Sequence, residues 1–408
     1  MHLPILAALL AALTLRADEG MWTFDNLPLK KMQATYGFSP DPAWLDHVRL
    51  SALHFGNGSG SFISKDGLVL TNHHVGRGAV QRLSTKEHDY IRDGFVARTR
   101  GQELRVPGMT LRTLVAMENV TARVAETIGP GTPEREAAHL RRELLDRIEA
   151  ELERKTGLSF DAVTLYQGGE TWMYGYRVHR DVRLVMAPEA QVAFFGGDPD
   201  NFTYPRFNLD FTLFRVYEKG RPYHPPHHLT WSTEGVRAGE LTLVAGHPGS
   251  TSRLQTLAQM EYDRDVALPL RIQATEHSRA VLREYAQGSP ERARRVKTML
   301  FGAENALKAA RGYASGFRNL EAMDGISRAE GELRARVAGD PALNAEAGQS
   351  WTRIEEALKD QGALAREAML LGPCGSATLG QALSLVRVLG QEAKPLRERL
   401  PEYADDAI

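Results

Sequence analysis

A chain of 408 residues, 42% hydrophobic and 25% charged, carries enough apolar side chains for two or more packed cores and too many for an intrinsically disordered protein. Its 50 basic side chains nearly cancel 51 acidic ones, so composition forces no basic face and gives nucleic acid no claim as a partner. With Cys374 as the only cysteine no intrachain disulfide is available, and the fold must rest on core packing.

The chain opens on Met1 to Ala17, whose apolar run from Leu3 to Leu15 is too short to span a bilayer and stands where the hydrophobic region of a secretory leader would be. Residues 1–17 are therefore expected to be a signal peptide and the product periplasmic or secreted, although His2 is the only basic side chain before the run and Leu15-Arg16-Ala17 is an imperfect cleavage site. No later apolar run reaches membrane length, so no membrane partner is expected. Next comes Gly58 to Val75, where a small-residue strand leads through the Asp66-Gly67 turn into the apolar Leu68-Val69-Leu70, followed at once by His73 and His74. An imidazole delivered by the end of a strand is how a chymotrypsin-like serine peptidase places its general base, whereas the plainer reading is a hairpin with two surface histidines. With His74 on such a strand, His73 would point to the opposite face.

From Leu53 to about Arg112, short apolar runs broken by Gly, Asn, Asp and Pro predict short antiparallel strands of a barrel. Leu140, Leu144, Leu145, Ile148 and Leu152 have helical spacing and predict a helix near 133–156 that stops at Gly157. Strands follow at Ala162–Tyr166, Tyr176–Val178, Val182–Met186, Phe211–Tyr217 and Leu241–Ala245. Beyond Leu254 the pattern is helical throughout, with Ser289-Pro290 and Asp340-Pro341 as N-caps followed by a first-turn proline.

Two further groups of residues could carry chemistry. The segment Phe194 to Phe211 gathers aromatics with Asp198, Asp200 and Asp210, and Asp210 enters an apolar strand where a carboxylate needs a partner. A histidine Nδ1 hydrogen would satisfy it, and so would local backbone amides. His224, His227 and His228, with His73 or His247, could be offered as a zinc site. Prolines make that stretch a loop, no acidic partner stands at ligand spacing, and neither metal nor cofactor is expected.

Taken in order, Asp18–Trp22, Gly58–Gly78, Asp181–Val185, Gly196-Gly197-Asp198 through Asp210-Phe211, and the weaker Gly246–Arg253 resemble the bacterial exo-acting serine peptidases of the dipeptidyl peptidase 7 and dipeptidyl peptidase 11 family. The resemblance implies a mainly β chymotrypsin-like barrel over 18–255 with the helix near 133–156 as an insertion, then an incomplete α-helical cap domain over 256–408, the second barrel being missing. It places the general base on His74 and the orienting carboxylate on Asp210. It places binding of the substrate's N-terminal amine on Asn201 and Phe202, where the family has Asn-Trp, and on Ser315, where the family has a further asparagine. Val75 stands at a position where the family has cysteine.

The family's nucleophile lies in a Gly-Asn-Ser-Gly loop of the second barrel, and no such sequence occurs here. Ser59, Ser250 and Ser376 stand beside glycines, but the first two belong to other motifs and the third to the helical region, so no nucleophile is assigned in this chain. Cys374 lacks a histidine motif near it and reads as a semi-buried thiol. The resemblance thus implies release of dipeptides from the N-termini of oligopeptides, by a C-terminally shortened member that is inactive alone for want of a nucleophile and oxyanion donors. The other reading is a noncatalytic protein that binds peptide N-termini. Oligopeptides with a free N-terminus are the expected partners under both, and a homodimer through the helical region is compatible with either.

Overall fold

The computed structural model describes residues 20–395 and 399, apart from 57, 86, 130, 250, 251, 253 and 371–376. The expected signal peptide, Ser250, Cys374 and Ser376 lie outside the described residues. Two compact units divide between Thr251 and Ser252.

The first unit begins with two helices, α1 (Leu29–Tyr36) and α2 (Pro42–Ser51), and continues through β1 (Ala52–His54), β2 (Ser59–Phe62), β3 (Leu68–Thr71), α3 (His73–Leu83), α4 (Tyr90–Asp93), β4 (Phe95–Val96), β5 (Leu104–Arg105) and β6 (Leu111–Asn119). Then come α5 (Thr121–Thr127), α6 (Glu134–Thr156), β7 (Ser159–Leu165), β8 (Glu170–His179), β9 (Asp181–Ala187), α7 (Ala190–Ala193), α8 (Gly197–Asp200), β10 (Thr212–Glu218) and β11 (Arg221–Pro222). All eleven strands join one antiparallel sheet in the order β4-β9-β10-β3-β2-β1-β6-β8-β7, with β11 on β10 and β5 on β9.

That path is open. The closed barrel expected from the strand pattern is not formed among the described residues, because its ends, the two-residue β4 and the seven-residue β7, are not paired with each other. Leu241–Ala245, offered by its composition as a further strand, makes no ladder, and Leu243 and Val244 stand exposed.

Two cores hold this unit. Alternation along the strands points Leu53, Phe62, Val69, Leu184, Phe214 and Val216 into the first, which Val80 of α3 completes. Ile148 and Leu152 of α6 bury against Val120, Phe160 and Met173 in the second, as their spacing predicts. The helix α6 stops at Gly157, whose φ of 70° lets its amide bond the Glu153 carbonyl at 2.8 Å.

The second unit is helical: α9 (Leu257–Tyr262), a π turn over Asp263–Ala267, α10 (Leu268–Gln287), α11 (Pro290–Gly316), α12 (Leu320–Gly339), α13 (Pro341–Ala347), α14 (Ser350–Leu370) and α15 (Ala377–Glu392). Ser289 Oγ accepts from the Arg292 amide and Asp340 Oδ1 from those of Ala342 and Leu343, so both Xaa-Pro pairs start helices. Small side chains, Ala310 and Ala314, let α11 approach Leu268 and Ile272 of α10.

Candidate active site

The β2–β3 hairpin positions the first half of the site. Ser64 Oγ accepts from the amides of Asp66 and Leu68 inside the turn, and Gly67 takes φ 67° where an added Cβ would meet the Tyr223 carbonyl oxygen at 2.6 Å. The strand β3 ends at Thr71, and the chain turns into α3 at once, with Asn72 as N-cap. His73 and His74 are thus the first two residues of a helix, and the expectation that they alternate faces along a strand is corrected. They diverge by helical rotation instead: His73 is buried at 4% exposure, and the His74 ring is mostly in solvent.

The second half arrives by sheet register. Thr212 of β10 pairs with Thr71 of β3, which sets Asp210, two residues earlier, beside the N-terminus of α3. The His74 ring Nδ1 lies 2.6 Å from Asp210 Oδ2, and the His74 backbone amide donates to Oδ1 at 3.0 Å. Asn72 makes no side-chain cap of its own helix. Its Nδ2 donates to the Asp210 carbonyl oxygen at 3.1 Å and to Oδ2 at 3.3 Å. Asp210 therefore does what an N-cap side chain does, from a distant strand: it satisfies an orphan amide of the first turn, where the helix dipole favours a negative charge.

Electrostatics follow from these bonds. Partial burial pushes the Asp210 carboxyl up, but the hydrogen bonds from the His74 ring and amide, with the two histidines' charges, outweigh it and hold the group below its ordinary value. A carboxylate facing Nδ1 favours the tautomer with its hydrogen on that nitrogen, which would leave Nε2 as the acceptor. Burial holds His73 below the ordinary histidine value, with the Asp210 charge opposing and Arg77 and His74 assisting.

Asn201 and Phe202 lie on the loop that runs from α8 into β10. Asn201 is 8% exposed, and its Oδ1 accepts from Arg206 Nη1 at 3.3 Å. Phe202 takes φ 61°, in the left-handed region that costs an aromatic residue of the order of 1–2 kcal/mol, and its ring is 63% exposed. Phe195, Tyr204 and Phe207 of the same loop are exposed as well. Ser315 stands exposed in the last turn of α11, in the second unit.

The remaining candidates are dispersed. Ser59 Oγ accepts from the His247 amide at 2.7 Å, and the Ser59 carbonyl accepts from Thr71 Oγ1, so this serine fastens the 246–247 segment to β2. The His247 ring lies 5.1 Å from that of His54, centroid to centroid, and burial, with His54 and Arg112 assisting, pulls its value down to about 4. His224 Nδ1 stands 2.9 Å from the Lys65 carbonyl, and His227 Nδ1 is 3.3 Å from His47 Nδ1. His73 is buried at the start of α3. Asn72, Arg206 and the His74 amide are the parts that motif reading passes over. The only hint of the first is its place at an N-cap.

Comparison with known proteins shows the family. The Peptidase S46 family profile matches residues 17–408, and the chain belongs to that family. Dipeptidyl-peptidase 7 of Porphyromonas endodontalis is 32% identical over 346 residues, covering 80% of this chain and 42% of that protein. Its namesake from Porphyromonas gingivalis is 30% identical over 388 residues, covering 87% and 52%. Among solved structures, Porphyromonas endodontalis DPP11 in complex with substrate matches with a TM-score of 0.73 at 24% identity, over 86% of this chain and 54% of that one, and shows the likeness of fold. The chain spans about half the length of the curated relatives it matches.

Proposed function

We propose that the chain carries the acid–base half of a serine-type dipeptidyl aminopeptidase, which releases dipeptides from the free N-terminus of oligopeptides. His74 Nε2 takes the proton of a serine hydroxyl as that oxygen attacks the scissile carbonyl, then returns it to the leaving amine. Asp210 holds the tautomer and stabilises the imidazolium that forms. Asn201 and Phe202 receive the substrate's ammonium, through a carbonyl oxygen and an aromatic face, and so set the cut two residues from the terminus. The open sheet is read as the first of two chymotrypsin-like barrels, and the protein as exported to the periplasm or beyond.

No serine of this chain is assigned the attacking oxygen. Acyl transfer needs that oxygen and its oxyanion donors together, so the 408-residue chain alone is expected to bind peptides without cutting them. The observation that carries the reading is the double hold of Asp210 on one residue, His74, by ring and by amide.

Incubation of the purified chain with dipeptidyl-naphthylamides, alongside titration with Arg-Asp and its N-acetyl form, tests it. Preferential binding of the free amine with no hydrolysis is expected. Hydrolysis that survives His74→Ala overturns the assignment of the base, and equal binding of the two peptides overturns the amine subsite. Lasting, monodisperse binding without turnover by any longer form of the protein moves the reading to a noncatalytic binder of peptide N-termini.

A further inference from the structure

Asn72 occupies the N-cap position of α3 and makes no side-chain cap there. An asparagine at that position ordinarily turns its carbonyl oxygen back to accept an amide of the first helical turn. Asp210 already takes the His74 amide, and Asn72 uses the NH2 end of its side chain instead. Both groups that Nδ2 reaches belong to one residue, and both only accept: the Asp210 main-chain oxygen at 3.1 Å and the carboxylate oxygen Oδ2 at 3.3 Å. The orientation of the amide is therefore fixed by chemistry, since its carbonyl end in that place would face two acceptors.

From this arrangement we infer that Asn72 is a positioning residue for the proposed proton transfer: it braces the Asp210 carboxylate in the rotation at which Oδ2 meets the His74 ring. The inference rests on the reading of His74 as a base oriented by Asp210. A carboxylate held by one oxygen can pivot about that bond. Oδ1 has a fixed point in the His74 amide, at 3.0 Å, because that amide belongs to the helix backbone. The ring on Oδ2 is no such point, since it turns about its own side-chain bonds and the side chain is 61% exposed. Asn72 supplies the second fixed point. One hydrogen of its NH2 serves the Asp210 main chain and the other serves Oδ2, so a single planar group spans the main chain and the carboxylate of the same residue. A carboxylate oxygen accepts from two directions, and the Asn72 hydrogen on one leaves the other to the ring nitrogen at 2.6 Å. The same donor keeps water off Oδ2 at a place where Asn72 and the His74 ring both stand in solvent.

The test is the ring nitrogen-15 spectrum of neutral His74 in the full chain, with urea unfolding of the sheet unit alongside, in wild type, Asn72→Ala and Asn72→Asp. Asn72→Ala removes the donor, and the ratio of rings with hydrogen on Nδ1 to rings with hydrogen on Nε2 should fall about fivefold, the loss of one hydrogen bond. Asn72→Asp keeps the size and suits an N-cap as well as asparagine does, but presents Asp210 with an acceptor and a like charge in place of a donor. It should lower the ratio at least as far. A merely structural asparagine would lower the unfolding stability in Asn72→Ala and leave the tautomer ratio of the folded protein where it was.

A wild-type ratio retained in either folded variant overturns the inference and leaves the proposed function standing. Hydrogen on Nε2 in the wild type, or a wild-type ratio that Asp210→Asn does not move, removes the orientation by Asp210 itself, and the inference with it. If Asn72→Ala fails to fold, Asn72→Asp decides alone: a lowered ratio supports the inference and an unchanged one refutes it.

Discussion

The two halves of the candidate site are built in opposite ways. At the start of α3, Asp210 receives hydrogen bonds from the ring and amide of His74 and from Asn72, with the packed sheet beneath. Immediately before Asp210 along the chain, the loop around Arg206 projects Phe195, Phe202, Tyr204 and Phe207 into solvent, with Phe202 in a strained conformation and one arginine drawing the stretch together. The contrast teaches where each property comes from. In the proposed function, proton handling needs a fixed tautomer and is drawn from regular elements locked by register, while recognition of a chain terminus is drawn from a loop whose groups are spare parts of the fold.

Substitutions should separate the halves. Phe214 is fully buried beneath α3, and a Cβ on Gly76 would stand 3.0 Å from its ring. Phe214→Ala should therefore cost about 3–5 kcal/mol and loosen the His74–Asp210 contact with it, as read by urea unfolding of the sheet unit. Asp210→Ala removes a cap and the hydrogen-bond partner of the His74 ring together, and should cost about 2 kcal/mol by the same measurement, with Asp210→Asn costing less. A fall as large from any exposed aromatic of the loop would break the contrast.

Acid should reach the unit in two windows. His179 and His247 are held down to about 4 by burial, against an ordinary 6.5, so the unfolded chain binds more protons between those values. Stability contributed by keeping them neutral is whole above about pH 6.5 and is lost progressively as pH falls toward about 4. His247→Phe should flatten that slope in a stability-versus-pH series. Asp210 has its folded value lowered, so its contribution is present above the unfolded carboxylate value, 3.8, and disappears only as pH falls through the still lower folded one. The difference between wild type and Asp210→Asn should therefore hold steady down to about pH 4.

The smallest expected effect is at Phe202. Glycine accepts φ 61° without penalty, so Phe202→Gly should leave stability unchanged or raise it by up to about 1 kcal/mol, while weakening binding of the free-amine peptide. Thermal melts and peptide titration on one preparation check both. A large destabilisation would mean that the loop, too, is part of the packed framework.

What the sequence made legible tracks how local the cause is. The helix α6 is announced by Ile148 and Leu152 at helical spacing, its end by Gly157, and two helix starts by Ser289-Pro290 and Asp340-Pro341, all decided within a few residues. The helix α3 is hidden because its buried face is His73, Gly76, Ala79 and Val80, small or polar residues that leave little apolar periodicity to read. Leu241–Ala245 misleads for the converse reason: strand composition is local, but a strand exists only where another offers a ladder. His74 and Asp210 stand out in their motifs, yet nothing local reveals that Asp210 caps the helix His74 begins, since β3–β10 register makes that contact across 136 residues. Asn72 and Arg206 escape for the same reason. Their side-chain partners are chosen by the fold, not by the residue type.

The most direct test of the account is the tautomer of His74, read from ring nitrogen-15 shifts of the neutral imidazole in wild type and Asp210→Asn. Hydrogen on Nδ1 with Nε2 unprotonated in the wild type, and a mixed or reversed population in Asp210→Asn, is the result expected of a base oriented by Asp210. A wild-type ring with its hydrogen on Nε2, or one indifferent to the substitution, would contradict it.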